Sequence, residues 1–274
     1  MTAERNITEV KNITTKVLQS MKDKGGKIAM LTAYDFIMAK FLDQAMIDII
    51  LVGDSLSNVI QGNETTLPVT LEEMIYHTKI VRKAVKRAMV VADMTFMSYQ
   101  VGVEEAILNC GSVMKETGCD AVKMEGGAYI AEIVEKLVEI GIPVMGHLGL
   151  MPQSINKYGS YKTRGIDRSE AEQIYKDALI LEKAGIFALV LEKIPAPLGK
   201  KVSKALKIPT IGIGAGPDCD GQVLVTHDML GMIDEFQPRF VRKYLNLSSE
   251  MRDAFRRYID DVRNRKFPSK EESY

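Results

Sequence analysis

Eight short apolar runs, separated by stretches of helical spacing, limit the possible folds of this chain more than any other feature. They are KIAMLTA (27–33), IDIILVG (47–53), AMVVADM (88–94), DAVKMEG (120–126), IPVMGHLG (142–149), FALVLEK (187–193), IPTIGIGAG (208–216) and GQVLVTHD (221–228). Near-continuous Val/Ile/Leu runs suit strands of a parallel sheet covered on both faces. Between them, TLEEMIYHTKIVRKAVKR (70–87) opens with Thr70 and Glu73 at capping-box spacing and sets Met74, Ile75, Thr78 and Val81 at helical intervals. SEAEQIYKDALILEKAG (169–185) has Ser169 and Glu172 at the same spacing and stops on Gly185, and the amphipathic AYIAEIVEKLVEIG (128–141) also ends on glycine. Strands alternating with helices read as βαβ units.

Eight such units in 274 residues predict an α/β chain with the (β/α)8 architecture of a TIM barrel. The reading is a single domain over 1–274: an N-terminal helical extension (1–24), barrel strands within 27–230, and C-terminal helices and tail (231–274). The rival is an open doubly wound sheet, which often carries a glycine-rich phosphate turn after its first strand. Here the first strand runs into LTAYDF, without glycine. The connection between GIGAG and GQVLV is too short for a normal helix, so the seventh unit is degenerate.

In such barrels chemistry sits at the C-terminal ends of the strands. Those ends here carry Asp54 (LVGDS), Asp93 (VVADM), Lys123 and Glu125 (VKMEGG), His147 (MGHLG) and Glu192 (LVLEK). Each has a bland alternative. Asp54 and Asp93 suit helix N-caps, Lys123 and Glu125 an interior ion pair, His147 a hydrogen-bonded core imidazole, and Glu192 a solvated surface charge. As a set they point to a site, because ionisable groups from several distant strands end on one side. Three carboxylates, Asp54, Asp93 and Glu125, without cysteine or a histidine pair, suit a hard divalent ion such as Mg2+. Without a cation they would raise one another's pKa. Lys123 would then face an anionic substrate group.

Composition excludes some partners. Lys+Arg and Asp+Glu number 36 each, so net charge is zero and supplies no attraction to nucleic acid or an anionic membrane. No apolar run reaches the ~20 residues that span a bilayer. The opening MTAERNITEVKNITTKV lacks a signal-peptide core, so its NIT triplets at 6–8 and 12–14 are not read as glycosylation sites. Cys110, Cys119 and Cys219 form no C-x-x-C pair and read as reduced structural thiols of a cytoplasmic protein.

At the residues singled out above, the sequence resembles the ketopantoate hydroxymethyltransferases of pantothenate biosynthesis. The resemblance runs from about residue 27 to 265. It is carried by TAYD (32–35), LVGDSL (51–56), TTLPVT (65–70), VKMEGG (122–127), GHLGLMPQS (146–154), LVLEKIP (189–195) and IGIGAGPDCDGQVLVTHD (211–228). It implies a (β/α)8 barrel, Mg2+, and transfer of a one-carbon unit from 5,10-methylenetetrahydrofolate to 3-methyl-2-oxobutanoate, yielding ketopantoate and tetrahydrofolate. Carried over by position, Asp54, Asp93 and Glu125 match the metal-associated carboxylates. Asp54, Ser55, Asp93, Lys123 and His147 match substrate-binding positions, and Glu192 the catalytic base. Similar proteins assemble as decamers built from pentameric rings. One departure is Asn63, where the family usually shows histidine; it touches no metal or base position.

The segment MPQSINKYGSYKTRG (151–165) reads either as a lid or as a disordered surface loop. The glycines of GIGAG read as permitting close backbone approach. Two other functions stay open at this point: a barrel like phosphoenolpyruvate mutase or isocitrate lyase, which handles 2-oxo-acid enolates without folate, and a non-catalytic barrel kept for assembly or ligand binding.

Overall fold

The barrel closes on itself without an edge strand. In the computed structural model, which describes residues 12–234 and 238–274, eight parallel strands pair in sequence order and β8 returns to β1. In chain order the elements are α1 (Thr15–Asp23), β1 (Ile28–Thr32), α2 (Phe36–Gln44), β2 (Ile49–Val52), α3 (Leu56–Val59), α4 (Leu71–Ala84), β3 (Met89–Asp93), α5 (Val103–Thr117) and β4 (Ala121–Glu125). Then follow α6 (Ala131–Glu139), β5 (Val144–Gly149), α7 (Ile155–Tyr158), α8 (Arg168–Ala184), β6 (Ala188–Glu192), α9 (Ala196–Ala205), β7 (Thr210–Ile213) and β8 (Gly221–Leu224). The chain separates into two compact units, Met1–Leu224 and Val225–Tyr274. The second unit carries α10 (Thr226–Met229) and α11 (Leu247–Arg263). Of the expected N-terminal extension, residues 1–11, with the first NIT triplet, lie outside the described residues.

Side chains alternate across each strand, and in a closed barrel one set must point to the axis. Ile28 and Met30, Ile49 and Leu51, Met89 and Val91, Ala121, Met145, Ala188 and Val190, and Ile211 form one buried cluster, the barrel interior. The intervening set, such as Ile50, Val52, Val90, Ala92, Val122 and Leu189, packs with the inner faces of the helices in a second cluster. Both faces are thus apolar, which is why the strands read as continuous runs. α1 adds Leu18, fully buried, to the interior cluster. It lies at the strands' N-terminal ends: the Ile13 amide donates to Arg87 O just before β3, and the Lys22 ammonium donates to Ile208 O just before β7.

The expected helix caps were half right. Thr70 and Glu73 form the capping box, with the Glu73 amide donating to Thr70 Oγ1 (3.2 Å) and the Thr70 amide to Glu73 Oε2 (2.8 Å). The box expected at Ser169 and Glu172 is absent, because α8 begins earlier, at Arg168 after Asp167. The acids of that first turn are used otherwise: Glu172 pairs with Arg168, and Glu170 with Arg164. Gly185 does close α8, in the left-handed conformation. The 128–141 helix starts as a 3-10 turn over Ala128–Ile130 before α6. No helix separates β7 from β8. The glycine-rich loop between them does approach closely, to α9: a Cβ on Gly216 would collide with Ala196. The final run, expected as strand to Asp228, turns helical at Thr226.

Candidate active site

The period-two alternation that separates interior from exterior also selects the functional layer. Asp93 has the parity of Met89 and Val91, Lys123 and Glu125 that of Ala121, His147 that of Met145, and Glu192 that of Ala188 and Val190. All five therefore point to the axis at the C-terminal ends of β3 to β6. Register sets Asp93 beside Lys123 and Glu125 beside His147, while Glu192 pairs with Gly149, two residues beyond His147. This is why a cation and a carboxylate share one face of β4. The strands β1, β2, β7 and β8 contain no ionisable residue, so the strands' charge enters the barrel mouth from one side.

Asp54 and Ser55 follow β2. Asp54 is no N-cap; the cap position of α3 is Ser55, which makes no capping bond there. The Ser55 hydroxyl instead lies 2.8 Å from that of buried Tyr34. The Asp54 amide donates to Asp93 Oδ2 (3.0 Å), and the other oxygen of Asp93 meets the Lys123 ammonium in a buried ion pair. Asp54, Asp93, Lys123, Glu125 and His147 are all buried. The Glu192 side chain is 17% exposed, so the one group of the set with access to solvent is the expected base.

His147 stands between two carboxylates. Its Nδ1 is 3.4 Å from Glu125 Oε1 and its Nε2 is 3.3 Å from Glu192 Oε2. Neither contact has hydrogen-bond geometry, so both ring nitrogens and Glu125 Oε1 are buried polar atoms without a hydrogen bond. Buried polar groups are seldom left so. Glu192 is brought close by Gly149, at φ 96°, where a Cβ would collide with the Glu192 carbonyl; the Leu150 amide donates to that carbonyl (2.8 Å).

The charges perturb one another. Burial, then Asp93 and Glu125, push the Asp54 carboxyl up to about 8, against Lys123 and a hydrogen bond from Gln153. Burial favours a neutral Lys123, but Asp93, Asp54 and Glu125 outweigh it and hold the ammonium above its ordinary value. For His147, burial and Lys123 disfavour the charged ring, yet Glu125 and Glu192 prevail and raise it to about 9. Among the described residues, no three His, Cys, Asp or Glu side chains already stand as a metal-ligating set.

Two residues of this centre carried no sequence signal as functional groups. Tyr99, fully buried, accepts the Glu125 amide at its hydroxyl (3.1 Å) and donates to the Glu125 carbonyl (2.9 Å). Gln153, inside the quoted GHLGLMPQS, bonds to both Asp54 and Glu125. The segment 151–165 is built rather than disordered. It forms a 3-10 turn over Pro152–Ser154, then α7, and is then tied down: the Lys193 ammonium donates to Tyr161 O, and the Arg164 guanidinium lies 4.0 Å from the Tyr158 ring centre. Asn63 is held in its own loop, its amide donating to Ser57 O (2.9 Å) and its Nδ2 to Ser57 Oγ (3.1 Å). The three cysteines are buried and unpaired with one another. No described helix is long and apolar enough to cross a membrane.

Comparison with known proteins adds family and fold. The family model described as ketopantoate hydroxymethyltransferase matches residues 12–270. A protein of Chlorobaculum tepidum named 3-methyl-2-oxobutanoate hydroxymethyltransferase is 60% identical over 267 residues, covering 96% of each chain. One of the same name from Prosthecochloris aestuarii is 56% identical over 275 residues, covering 99% of each. Among solved structures, phosphonopyruvate hydrolase complexed with oxalate and Mg++ aligns with TM-score 0.64 at 12% identity, covering 94% of this chain and 92% of that one. 2,3-Dimethylmalate lyase, a PEP mutase/isocitrate lyase superfamily member, aligns with TM-score 0.62 at 15% identity, covering 92% and 89%. These structural likenesses concern the fold.

Proposed function

This chain belongs to the ketopantoate hydroxymethyltransferase family and is a transferase, and from that premise we propose that it moves a hydroxymethyl group from 5,10-methylenetetrahydrofolate to 3-methyl-2-oxobutanoate with the help of Mg2+. The observation that carries the reading is the single imidazole of His147 separating a partly exposed carboxylate, Glu192, from a buried group of three, Asp54, Asp93 and Glu125. A base with solvent access thus stands beside an excess of buried negative charge.

The donors suit a divalent cation. Glu125 Oε1 is buried without a hydrogen bond, and burial, then Asp93 and Glu125, push the Asp54 carboxyl up to about 8. Mg2+ takes one or two protein carboxylates and fills its shell with water and substrate oxygens, so no ready-made three-residue set is required. Asp54, Asp93 and Glu125 would hold it, in direct contact or through water. Bound there, the ion supplies Lewis-acid stabilisation of negative charge developing on the keto oxygen of a 2-oxo acid.

The remaining work falls to the chain's own side chains. Lys123, kept charged by its carboxylate neighbours, attracts the substrate carboxylate, with Ser55 and the two aspartates completing the cradle. Glu192 removes the proton from C3 of 3-methyl-2-oxobutanoate, and the electron pair left behind attacks the methylene carbon of the folate. His147 stands with its Nε2 toward Glu192 and, when charged, attracts that carboxylate. One C–N bond of the methylene opens as the new C–C bond forms, and water replaces the other, so ketopantoate carries the hydroxymethyl group and tetrahydrofolate leaves. The setting we propose is the cytoplasm, with a homo-oligomer of the decameric kind.

The test is formation of ketopantoate from 3-methyl-2-oxobutanoate, dependent on both 5,10-methylenetetrahydrofolate and Mg2+. Turnover of the 2-oxo acid without folate, by cleavage or rearrangement, would instead favour chemistry like that of the PEP mutase/isocitrate lyase superfamily.

A further inference from the structure

We propose that Gln153 is a positioning residue, which sets the carboxylate of Asp54 relative to that of Glu125 before any ligand arrives. The proposal rests on the reading of the site given above. Gln153 lies on the 3-10 turn after β5 and is 7% exposed. Its backbone amide donates to Glu125 Oε2 (3.0 Å), and its side-chain Nε2 donates to Asp54 Oδ2 (3.0 Å) and to Met94 O (2.9 Å). Its Oε1 lies 3.2 Å from the Tyr99 hydroxyl and 3.3 Å from Gln100 Nε2. One residue therefore joins carboxylates that lie 99 and 28 positions away in the chain.

The network decides which way the amide points. Its nitrogen faces a carboxylate and a carbonyl, both acceptors, and its oxygen faces the Gln100 amide nitrogen and the Tyr99 hydroxyl. A flipped amide would set its oxygen against the Asp54 carboxylate and the Met94 carbonyl. The amide also suits the task chemically. It orients a carboxylate without neutralising it, whereas a lysine at this position would compete with a cation or with Lys123 for the same charge. Hydrogen bonds to ionised groups are among the stronger ones in proteins. Tyr99 secures the arrangement from the other side, since its hydroxyl bonds to both main-chain groups of Glu125 and lies beside Gln153 Oε1. The polar contacts of Gln153 thus go to the carboxylate-bearing residues or to groups that fix its own orientation.

The experiment compares Gln153→Met, which keeps length and volume, and Gln153→Asn, whose amide is too short to span the gap, with the parent enzyme. Neither change removes the backbone bond to Glu125, so both test the side-chain bonds, of which the one to Asp54 reaches a carboxylate. Three quantities are read: Mn2+ affinity by calorimetry, exchange of the C3 proton of 3-methyl-2-oxobutanoate in D2O without folate, and Tm. Loss of a residue that orients a metal-binding carboxylate weakens metal binding by roughly 10- to 100-fold. The expected result is an Mn2+ dissociation constant raised about tenfold or more in both variants, with slower exchange and a cooperative unfolding transition retained. Parent-like Mn2+ affinity and exchange in folded variants, with only Tm lowered, would overturn the proposal. If Gln153→Met does not fold, Gln153→Asn and Tyr99→Phe decide, and parent-like values in both overturn it. A parent enzyme that binds no Mn2+ refutes the cation reading alone, and Gln153 is then judged on exchange. A parent that also fails to exchange refutes the functional reading itself.

Discussion

The barrel holds a lysine–aspartate pair at each end, and the two are built differently. At the N-terminal end, Lys22 meets Asp220 at 2.9 Å, and its ammonium also donates to Ile208 O (2.7 Å) and Ser203 O (3.2 Å). The same Asp220 oxygen accepts the amide and hydroxyl of Thr210, both at 2.9 Å. One cation faces one carboxylate, and each has hydrogen-bonded neighbours. At the C-terminal end, Lys123 and Asp93 are more deeply buried but not balanced: Asp54, Glu125 and Glu192 stand nearby with His147 as the other candidate cation. Three of the buried polar atoms without a hydrogen bond lie in this group. A balanced, satisfied pair fastens α1 across the strand starts. A carboxylate surplus with unsatisfied atoms leaves room for charged guests. Barrels of this type place stability at one face and chemistry at the other, and here the hydrogen-bond inventory separates the two.

The comparison can be broken experimentally, most forcefully at its chemical end. Glu192→Gln should lower kcat by about 10²- to 10⁴-fold, the usual contribution of a general base, while calorimetry finds binding of the 2-oxo acid retained. Equal loss of binding and turnover would remove Glu192 from the role of base. Next in size is a matched pair of substitutions, followed by thermal melts with and without Mg2+. Lys123→Met strands buried carboxylates, and breaking such a pair costs about 3–5 kcal/mol; added Mg2+ should recover part of the lost Tm. Lys22→Met should lower Tm by less, because its pair is partly exposed, should leave kcat unchanged, and should be insensitive to Mg2+. Identical Mg2+ responses in the two variants would erase the proposed difference between the ends.

Smaller is the effect of cation on the unaltered protein. Mg2+ at a hundred times its dissociation constant should stabilise the fold by about 2.7 kcal/mol, reversed by chelator. Smallest is a control at the start of α4. Thr70→Ala removes the cap of α4 and should cost about 1 kcal/mol. Glu73, partner in that cap, has a carboxyl held below its ordinary value, first by the hydrogen bond from the Thr70 amide. Its contribution is therefore present above the ordinary glutamate value and fades as pH falls through the lowered one. Chemical denaturation of parent and Glu73→Ala should converge over that acid range, with no Mg2+ dependence in either.

What was legible in the sequence was what short-range periodicity writes. The parity of Lys123 and Glu125 follows from side-chain alternation on one strand, and the Thr70/Glu73 box from three-residue spacing on one helix. At the start of α8 the same reasoning failed, because Asp167 and Ser169 both suit a cap and the competing demands of Arg164 and Arg168 are set by the fold. Tyr99 and Gln153 were illegible as members of the site. A tyrosine and a glutamine in loops have no periodicity to betray them, and their partners lie 26 to 99 residues away.

By itself, then, the sequence determined the eight apolar runs, the helices between them and which residues share a strand face, since each depends on neighbours within a turn or two of chain. Tertiary structure alone decided that this shared face looks inward and that Asp93 stands level with Lys123 and Glu125 with His147. It also decided that Gln153 reaches across to Asp54. Closing the sheet converts local alternation into inside and outside, and only a closed ring brings groups from four strands, and from the turn after β2, to one mouth.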